Sequence, residues 1–434
     1  MNDWRRSIGV YSDRRVLLIL PLGFASGLPL LLTASTLSAR LATAGVSRVA
    51  IGAFALVGIP YALKFLWAPV IDRLPPPLRL GRRRGWGIAI QLALIVATLA
   101  MGACDPKRDL ALMSVLALFV AFLSASQDIV IDAYRVELLD PDQQGPGAAM
   151  IQTGYRIAML ASGAGALVIA DRAGWFAAYA AVAALLSFGI LVFLLGPEPR
   201  IAPTVIEGIR DDENSGLRHW LATAVVAPFA DFARKPLWLA ILIFIVAYKL
   251  GEAMAGVMAM PLYVSLGYSL GEIAAISKVF GFVATIIGAL LGGAMTVRLG
   301  VMRALIVCGV LQSAGNLFYV LQAAGGHRLD YLALCVAAEN LTGAMAGAAL
   351  VAYLSGLCSP AFTATQYALL SSLAAVGRTL VASTGGLLAQ RYGWVDFFLI
   401  STIATVPALL LIVWIAWRSP DHAERQPPAS ASVR

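Results

Sequence analysis

Charge is what this chain has least of. Only 13% of its 434 residues are Asp, Glu, Lys or Arg, while 60% are hydrophobic, and the mean hydropathy is +0.81. Soluble domains carry roughly twice that charged fraction, so the composition excludes a water-soluble globular domain and places the chain in a bilayer. Cysteine is equally sparse. The four (Cys104, Cys308, Cys335, Cys358) show no redox or metal spacing, and all but Cys104 fall in or at the end of apolar runs, where they read as small packing residues. The three histidines, His219, His327 and His422, lie in loops or the tail, so a carried proton is not expected on imidazole. No glycine loop is followed by Lys-Ser or Lys-Thr, which argues against ATP-driven transport. No spaced His or Cys cluster suits a metal, and lone nucleophiles such as those of GLCS at Gly356 lack a His base in the membrane. Cofactor, metal and enzymatic chemistry are therefore not expected. The net charge of +8 could suggest nucleic acid, but the bases cluster in short loops between apolar runs, as orientation in a membrane requires.

What the chain does have is length in its apolar runs. A basic stretch (Arg5, Arg6, Arg14, Arg15) leads into the first, which continues for about twenty residues, long enough to span rather than to serve as a cleaved signal. Spans are predicted at 16–38, 49–71, 86–104, 110–134, 147–170, 174–196, 236–264, 271–297, 301–323, 329–354, 362–390 and 394–417. The expected fold is an all-α membrane protein of about twelve helices in two six-helix halves, residues 16–196 and 236–417. Tails 1–15 and 418–434 and a central polar loop, 197–235, complete the organisation. The loop segment ADFARKP reads as an amphipathic helix on the membrane surface. With the N-terminus inside, cytoplasmic segments hold about 20 Lys and Arg against about 7 outside. Both termini and the central loop are then expected in the cytoplasm.

Nine ionisable residues lie well inside these runs: Lys64, Asp128, Asp132, Arg156, Lys249, Glu252, Lys278, Glu339 and Arg378. A charge at such depth costs several kcal/mol unless it meets a partner or a water-filled cavity. The stretch SASQDIVIDAYR (124–135) is the most telling, because Asp128 and Asp132 stand one helical turn apart and share a face. Four acids against five bases suit a cavity for a polar or anionic substrate, with bases holding its carboxylates. The acids Asp128, Asp132, Glu339 and Glu252 are the proton-coupling candidates. Lys64, Arg156, Lys249, Lys278, Arg378, Tyr155 and Gln127 are the substrate-binding candidates, although Lys249 and Glu252, at i and i+3, could simply pair with each other. An internal salt-bridge network that only holds helices in register is the competing reading. Gly23, Gly27 and Pro29, the glycines at 281, 288, 292 and 293, and Gly343 and Gly347 mark helices expected to pack closely.

Twelve spans in two halves are the pattern of a transporter with its site between repeats. APVIDR (68–73) followed by GRRRGW (81–86) resembles the signature loop of the major facilitator superfamily, and GAMTVRLGVMR (293–303) its degenerate partner half a chain later. The first copy has Ala68 where Gly is usual, and the second has Val297 in place of the Asp. Asp72, Arg73 and Arg135 are the gate candidates here, with an Asp72–Arg135 pair holding the inside closed.

A narrower resemblance covers nearly the whole chain. GFASGLPLLLT (23–33), KFLWAPVIDR (64–73), GRRRGW, SASQDIVIDAYR, YKLGEA (248–253), SKVFGFVATIIGALLGG (277–293), ENLTGAMA (339–346) and FTATQYALLSSLAAVGR (362–378) resemble the AmpG-type muropeptide permeases of Gram-negative bacteria. That resemblance implies a monomeric, proton-driven importer in the inner membrane. Its implied substrates are N-acetylglucosaminyl-1,6-anhydro-N-acetylmuramyl peptides, taken up for peptidoglycan recycling and, in some bacteria, for β-lactamase induction. It also implies coupling acids at Asp128 and Asp132 and cavity bases at Lys64, Arg156, Lys278 and Arg378. Two other readings stay open: a facilitator-type transporter of another bulky anion, such as an acyl-CoA or an oligosaccharide, and a non-transporting assembly factor.

Overall fold

The structure, a computed structural model, describes residues 7–47, 50–51, 54–199, 222–276, 280–382 and 385–418, a few side chains, among them those of 376–382, excepted. Among the described residues there is no strand. Lipid imposes this, since a chain crossing hydrocarbon must satisfy its own backbone hydrogen bonds, and a helix does so within one segment. Among the described residues nine helices are long and apolar enough to cross a bilayer. Cut at the non-helical Gly174 and Gly393 and with the shorter pieces added, the helical segments are α1 (Arg14–Thr43), α2 (residues 54–73), α3 (Arg82–Ala103), α4 (Leu110–Leu138), α5 (residues 141–173), α6 (residues 175–195), α7 (Trp238–Ser265), α8 (residues 270–276 and 280–299), α9 (Val301–Gly325), α10 (Leu329–Leu357), α11 (residues 363–382 and 385–392) and α12 (residues 394–418). The protein is an all-α membrane bundle. The expected spans stand with ends shifted by a few residues, the largest shift at α5, which begins earlier, where a capping box of Asp140 and Gln143 starts a short 3-10 turn.

Two pairs of glycines expose an internal repeat. Gly81 and Gly300 precede α3 and α9 with φ of 102° and 77°. Gly174 and Gly393 turn α5 into α6 and α11 into α12 with φ of 84° and 79°. Positive φ is open to glycine at little cost and strained for other residues. Both pairs stand 219 residues apart, and the second is embedded in matching strings, Arg172-Ala-Gly-Trp and Arg391-Tyr-Gly-Trp. The two halves of the chain thus repeat their turns as well as their helix count.

The apolar core divides accordingly. One cluster draws on α1 to α6 and takes in Ala364 and Ala368 of α11; two others draw almost wholly on α7 to α12. Within the first half α1 lies directly on α5. A Cβ on Gly154 would meet the Leu20 carbonyl and stand 2.7 Å from the Phe24 amide, and one on Gly27 would stand 2.7 Å from the Tyr155 carbonyl. In the second half α8 packs on α10 in the same manner, with the Met345 carbonyl 2.5 Å from the Cβ that Gly292 lacks. Close approach of this kind supplies the dispersion that holds helices together where no hydrophobic effect acts between them. The halves themselves meet at the end carrying the basic loops. There Tyr11 donates to the Leu290 carbonyl at 2.7 Å, and Ala149, Ala289 and Ala344 form a small buried seam.

Several helices are interrupted. α2 breaks into short pieces around Lys64 (Ile59–Leu63, Lys64–Leu66, Ala68–Arg73). α7 pauses at Tyr248 and Lys249 before resuming at Leu250. α1 breaks at Ala34, and Thr36 just beyond donates to the Ser162 carbonyl, 2.8 Å away, in a π-helical turn of α5. Irregular backbone at membrane depth survives only where protein or a wet cavity receives it. The central segment, much of which (200–221) lies outside the described residues, ends in a helix at Ala227–Ala233. Its Pro228 carbonyl and Asp231 carboxylate receive the Gln366 amide at 3.0 and 2.8 Å, so this helix, which takes in only the first part of the ADFARKP segment, is docked on α11.

Replacing Gly154 by Val should lower the midpoint of thermal unfolding in detergent, since overpacking against unyielding backbone costs about 1–3 kcal/mol. Gly256→Ala, where nothing lies within 4 Å of the added Cβ, should leave the midpoint unchanged or raised.

Candidate functional site

Two of the interrupted helices, α2 and α7, bring a lysine to acids in the membrane. In the first half, α4 presents Asp128 and Asp132 on one face, as their spacing requires. Lys64 Nζ, at the break in α2, stands 3.6 Å from Asp132 Oδ2, and Ser26 of α1 donates to Asp128 Oδ1 at 2.5 Å. Lys64 also acts electrostatically on Asp128. Two carboxylates thus share one ammonium, and Asp128 is the one held by a neutral hydroxyl. Burying such a group costs several kcal/mol unless charge or hydrogen bonds compensate it.

The second half assembles its own cluster. Lys249, at the break in α7, pairs with Glu252 and donates to the Gly343 carbonyl of α10 at 3.0 Å. Gln312 of α9 donates to the same Glu252 oxygen. Further along α10, Glu339 Oε2 accepts from its neighbour Asn340 at 2.8 Å, and Asn340 Oδ1 accepts from Thr285 of α8 at 3.0 Å. Arg156 belongs to α5 of the first half and is exposed, yet its charge reaches Glu339. One base of the first half therefore acts electrostatically on an acid of the second.

Other expected residues fall elsewhere. Gln127 is fully buried, and neither atom of its amide has a protein partner; it does not line an accessible cavity in this conformation, because it projects to a different side of α4 from Asp128. Tyr155 is half-buried, its carbonyl against α1 at Gly27. Lys278 lies outside the described residues, as does the Arg378 side chain. Sequence reasoning passed over Ser26, Gln312 and Asn340, neutral residues of ordinary type in apolar runs; only the positions of their charged neighbours would have pointed to them.

At the basic end, Asp72 closes α2. Its carboxylate takes Arg83 Nη2 at 2.8 Å, with Arg82 3.9 Å away. It also accepts the Ala364 amide at 3.3 Å and both the amide and hydroxyl of Thr365 at 2.8 Å. A side chain from the first half thereby caps the first turn of α11 in the second, the place where a negative charge meets unpaired N–H groups. Glu137, at the end of α4, receives Arg82 at 2.9 Å and Arg83 at 2.5 Å. The expected Asp72–Arg135 pair is not formed. Arg83 and the α11 amides occupy the Asp72 carboxylate, while Arg135 donates to Gln144 at 3.2 Å and lies 5.3 Å from the Tyr367 ring of α11. Arg73 stacks 5.2 Å from Phe362 and donates to the Thr223 carbonyl at 3.1 Å. All three gate candidates thus lie where the halves touch, with partners that spacing alone could not name.

Comparison with known proteins fits this architecture. Residues 250–433 match the Major Facilitator Superfamily model, and residues 15–171 match a model described as Acetyl-coenzyme A transporter 1. The anhydromuropeptide permease of Escherichia coli K12 is 43% identical over 407 residues, covering 93% of this chain and 80% of that protein. The chain belongs to the AmpG permease family. A Rickettsia conorii transporter named AmpG 4 is 33% identical, with 94% of this chain and 97% of that one covered. Among solved structures, the fucose transporter FucP in its outward conformation superposes with a TM-score of 0.68 at 13% identity, over 93% of this chain and 99% of that one. A bacterial homologue of ferroportin in an outward-facing state superposes at 0.65 with 14% identity, over 94% and 100%. Those likenesses establish the facilitator fold. An AmpG-family permease is a transporter and not an enzyme.

Asp72→Asn should loosen the contact at the basic end, because breaking a buried ion pair costs about 3–5 kcal/mol. In a chain freed of its native cysteines, Ala368→Cys, buried against the first half, should react slowly with a thiol reagent and markedly faster once Asp72→Asn is added. Thr365→Ala, which removes only the hydroxyl bond, should have a smaller effect.

Proposed function

We propose that this permease imports N-acetylglucosaminyl-1,6-anhydro-N-acetylmuramyl peptides into the cytoplasm with protons, as a monomer in the bacterial inner membrane with both termini inside. The observation that carries the reading is 43% identity to the E. coli anhydromuropeptide permease across 93% of the chain. Supporting it, each half holds a cluster of opposed charges, and Arg156 brings a base of the first half toward the acids of the second. A ligand with a carboxylate and many hydroxyl and amide groups is matched by bases and neutral amides that can hold it. Alternating access then consists of the halves rocking about that site. In the present arrangement the cytoplasmic side is held by Asp72 on the α11 terminus, Arg135 on Tyr367 and Tyr11 on α8. These contacts break as the substrate is released inward. Asp128 and Asp132 are the coupling acids, since two carboxylates share a single Lys64 and a proton relieves the imbalance. The imported muropeptides feed peptidoglycan recycling, the role that in some bacteria extends to β-lactamase induction.

A second reading is favoured by the match of residues 15–171 to the acetyl-coenzyme A transporter model: a bulky acyl-CoA as the transported anion. Uptake of labelled anhydromuropeptide into vesicles, with and without an imposed inward proton gradient, tests the first. Accumulation should require the gradient, resist competition by acetyl-CoA, and fall at least tenfold in Asp128→Asn, in line with loss of a buried proton carrier. Accumulation that survives both Asp128→Asn and Asp132→Asn with its pH dependence unchanged overturns the coupling assignment. Displacement by acetyl-CoA alone favours the second reading.

A further inference from the structure

Resting on that reading, we propose that Arg135 is a carboxylate-binding station on the inward route: covered by α11 in the present arrangement, it takes a substrate carboxylate once the halves part at the basic end. The residue is 0% exposed. Its Nη1 donates to Gln144 at 3.2 Å, whereas Nε and Nη2 are buried without a hydrogen-bond partner among the described residues. Those two nitrogens share one edge of the guanidinium and point their N–H bonds in parallel, the fork that grips both oxygens of a carboxylate. The stem is held against α5, where the Cβ that Gly147 lacks would stand 3.8 Å from Arg135 Cδ. The second half supplies the cover. The Tyr367 ring of α11 lies 5.3 Å from the guanidinium carbon, and the neighbouring Val136 packs on the core of that half.

Among the described residues no carboxylate forms an ion pair with Arg135. Asp132, one turn further from the basic end on the same face of α4, pairs with Lys64 at 3.6 Å. Glu137, two residues on, takes Arg82 and Arg83, and Asp72 takes Arg83 and the α11 amides. Arg83 shows how this end of the protein treats an arginine that only holds helices together: equally buried, it binds both of those acids. A buried cation left with one amide oxygen and a ring face is costly, and a neutral side chain would hold the same register without that cost. The charge finds its use when the halves separate. Tyr367 and the surface under Val136 belong to the second half, so their withdrawal leaves Nε and Nη2 facing the opening. Arg135 then stands on one stripe of α4 with Asp128 and Asp132, at i, i+4 and i+7. A carboxylate leaving the centre inward meets a two-pronged cation at the inner mouth, and the peptide carboxylates of a muropeptide fit it.

The test is exchange of labelled N-acetylglucosaminyl-1,6-anhydro-N-acetylmuramyl tripeptide in inside-out vesicles holding the intact permease, titrated with unlabelled tripeptide at the outward-turned cytoplasmic face. Arg135→Gln should raise the half-saturating concentration at that face about tenfold or more, as loss of a charge-assisted pair does. Arg135→Lys keeps the charge without the fork and should raise it by a smaller factor; it carries the test alone if the glutamine variant does not fold. The same tripeptide with its carboxylates converted to carboxamides should be insensitive to either substitution. A contact that served closure alone would act in the opposite direction, since its removal favours the inward-open form and lowers the half-saturating concentration for both ligands. An unchanged or lowered value for the charged tripeptide, or an equal rise for the amidated one, overturns the inference, and if the wild type exchanges muropeptide all the same, the functional reading stands without it. A wild type that neither binds nor exchanges muropeptide brings down both.

Discussion

A carboxylate in hydrocarbon has to find a partner, and the whole interior of this permease is arranged around that requirement. Asp128, Asp132, Glu252 and Glu339 each lie on a helix that lipid would otherwise keep apolar. Lys64 and Lys249, both of which sit where a helix is interrupted, form the ion pairs to Asp132 and Glu252. An interruption frees backbone groups and turns a side chain away from the lipid-facing surface, so the same irregularity that would be intolerable toward lipid becomes useful toward a cavity. Neutral residues complete the shells: Ser26 beside Asp128, Gln312 beside Glu252, Asn340 beside Glu339. The clusters differ in one respect that bears on transport. The first is contained within its own half, while Glu339 of the second also feels the charge of Arg156 across the interface.

The contact between the halves at the basic end rests on a different use of charge. Asp72 is an N-cap supplied from outside the helix it caps, and it binds Arg83 at the same time. Glu137 shares that arginine, which ties the ends of α2 and α4 to the start of α3. The α11 terminus is therefore held against a rigid cluster of loop and helix ends, through hydrogen bonds that a small separation of the halves would break. Fixed, directional contacts of this type make a two-state gate, where apolar packing alone would slide.

The repeat extends to the backbone and not to the charges. Turn glycines 219 residues apart show that both halves follow the same backbone plan, but their charges have diverged. Gly81 and Gly300 keep the turn before the third helix of each half, while the acid of the first loop copy is Val297 in the second. The capping carboxylate is consequently present once, and it acts on the opposite half.

Length and pattern of the apolar runs determined the class, the approximate number of crossings and the places where charge had to be hidden, because hydrocarbon thickness and the cost of a buried ion leave little choice. The i, i+4 spacing of Asp128 and Asp132 and the i, i+3 spacing of Lys249 and Glu252 were legible for the same reason: contacts within one helix are set by its pitch. Contacts between helices were not. That Arg135 faces Gln144 and Tyr367 while Asp72 takes Arg83 and α11, that Gln127 turns away from the face of Asp128, and that Arg156 lies toward Glu339 depend on helix rotation and register. Those are fixed by glycines such as Gly23, Gly154 and Gly347 meeting particular backbone and side-chain atoms on helices distant in sequence. Close packing of surfaces that are neighbours only after folding decides which charges meet, and a linear string of residues carries no direct record of it.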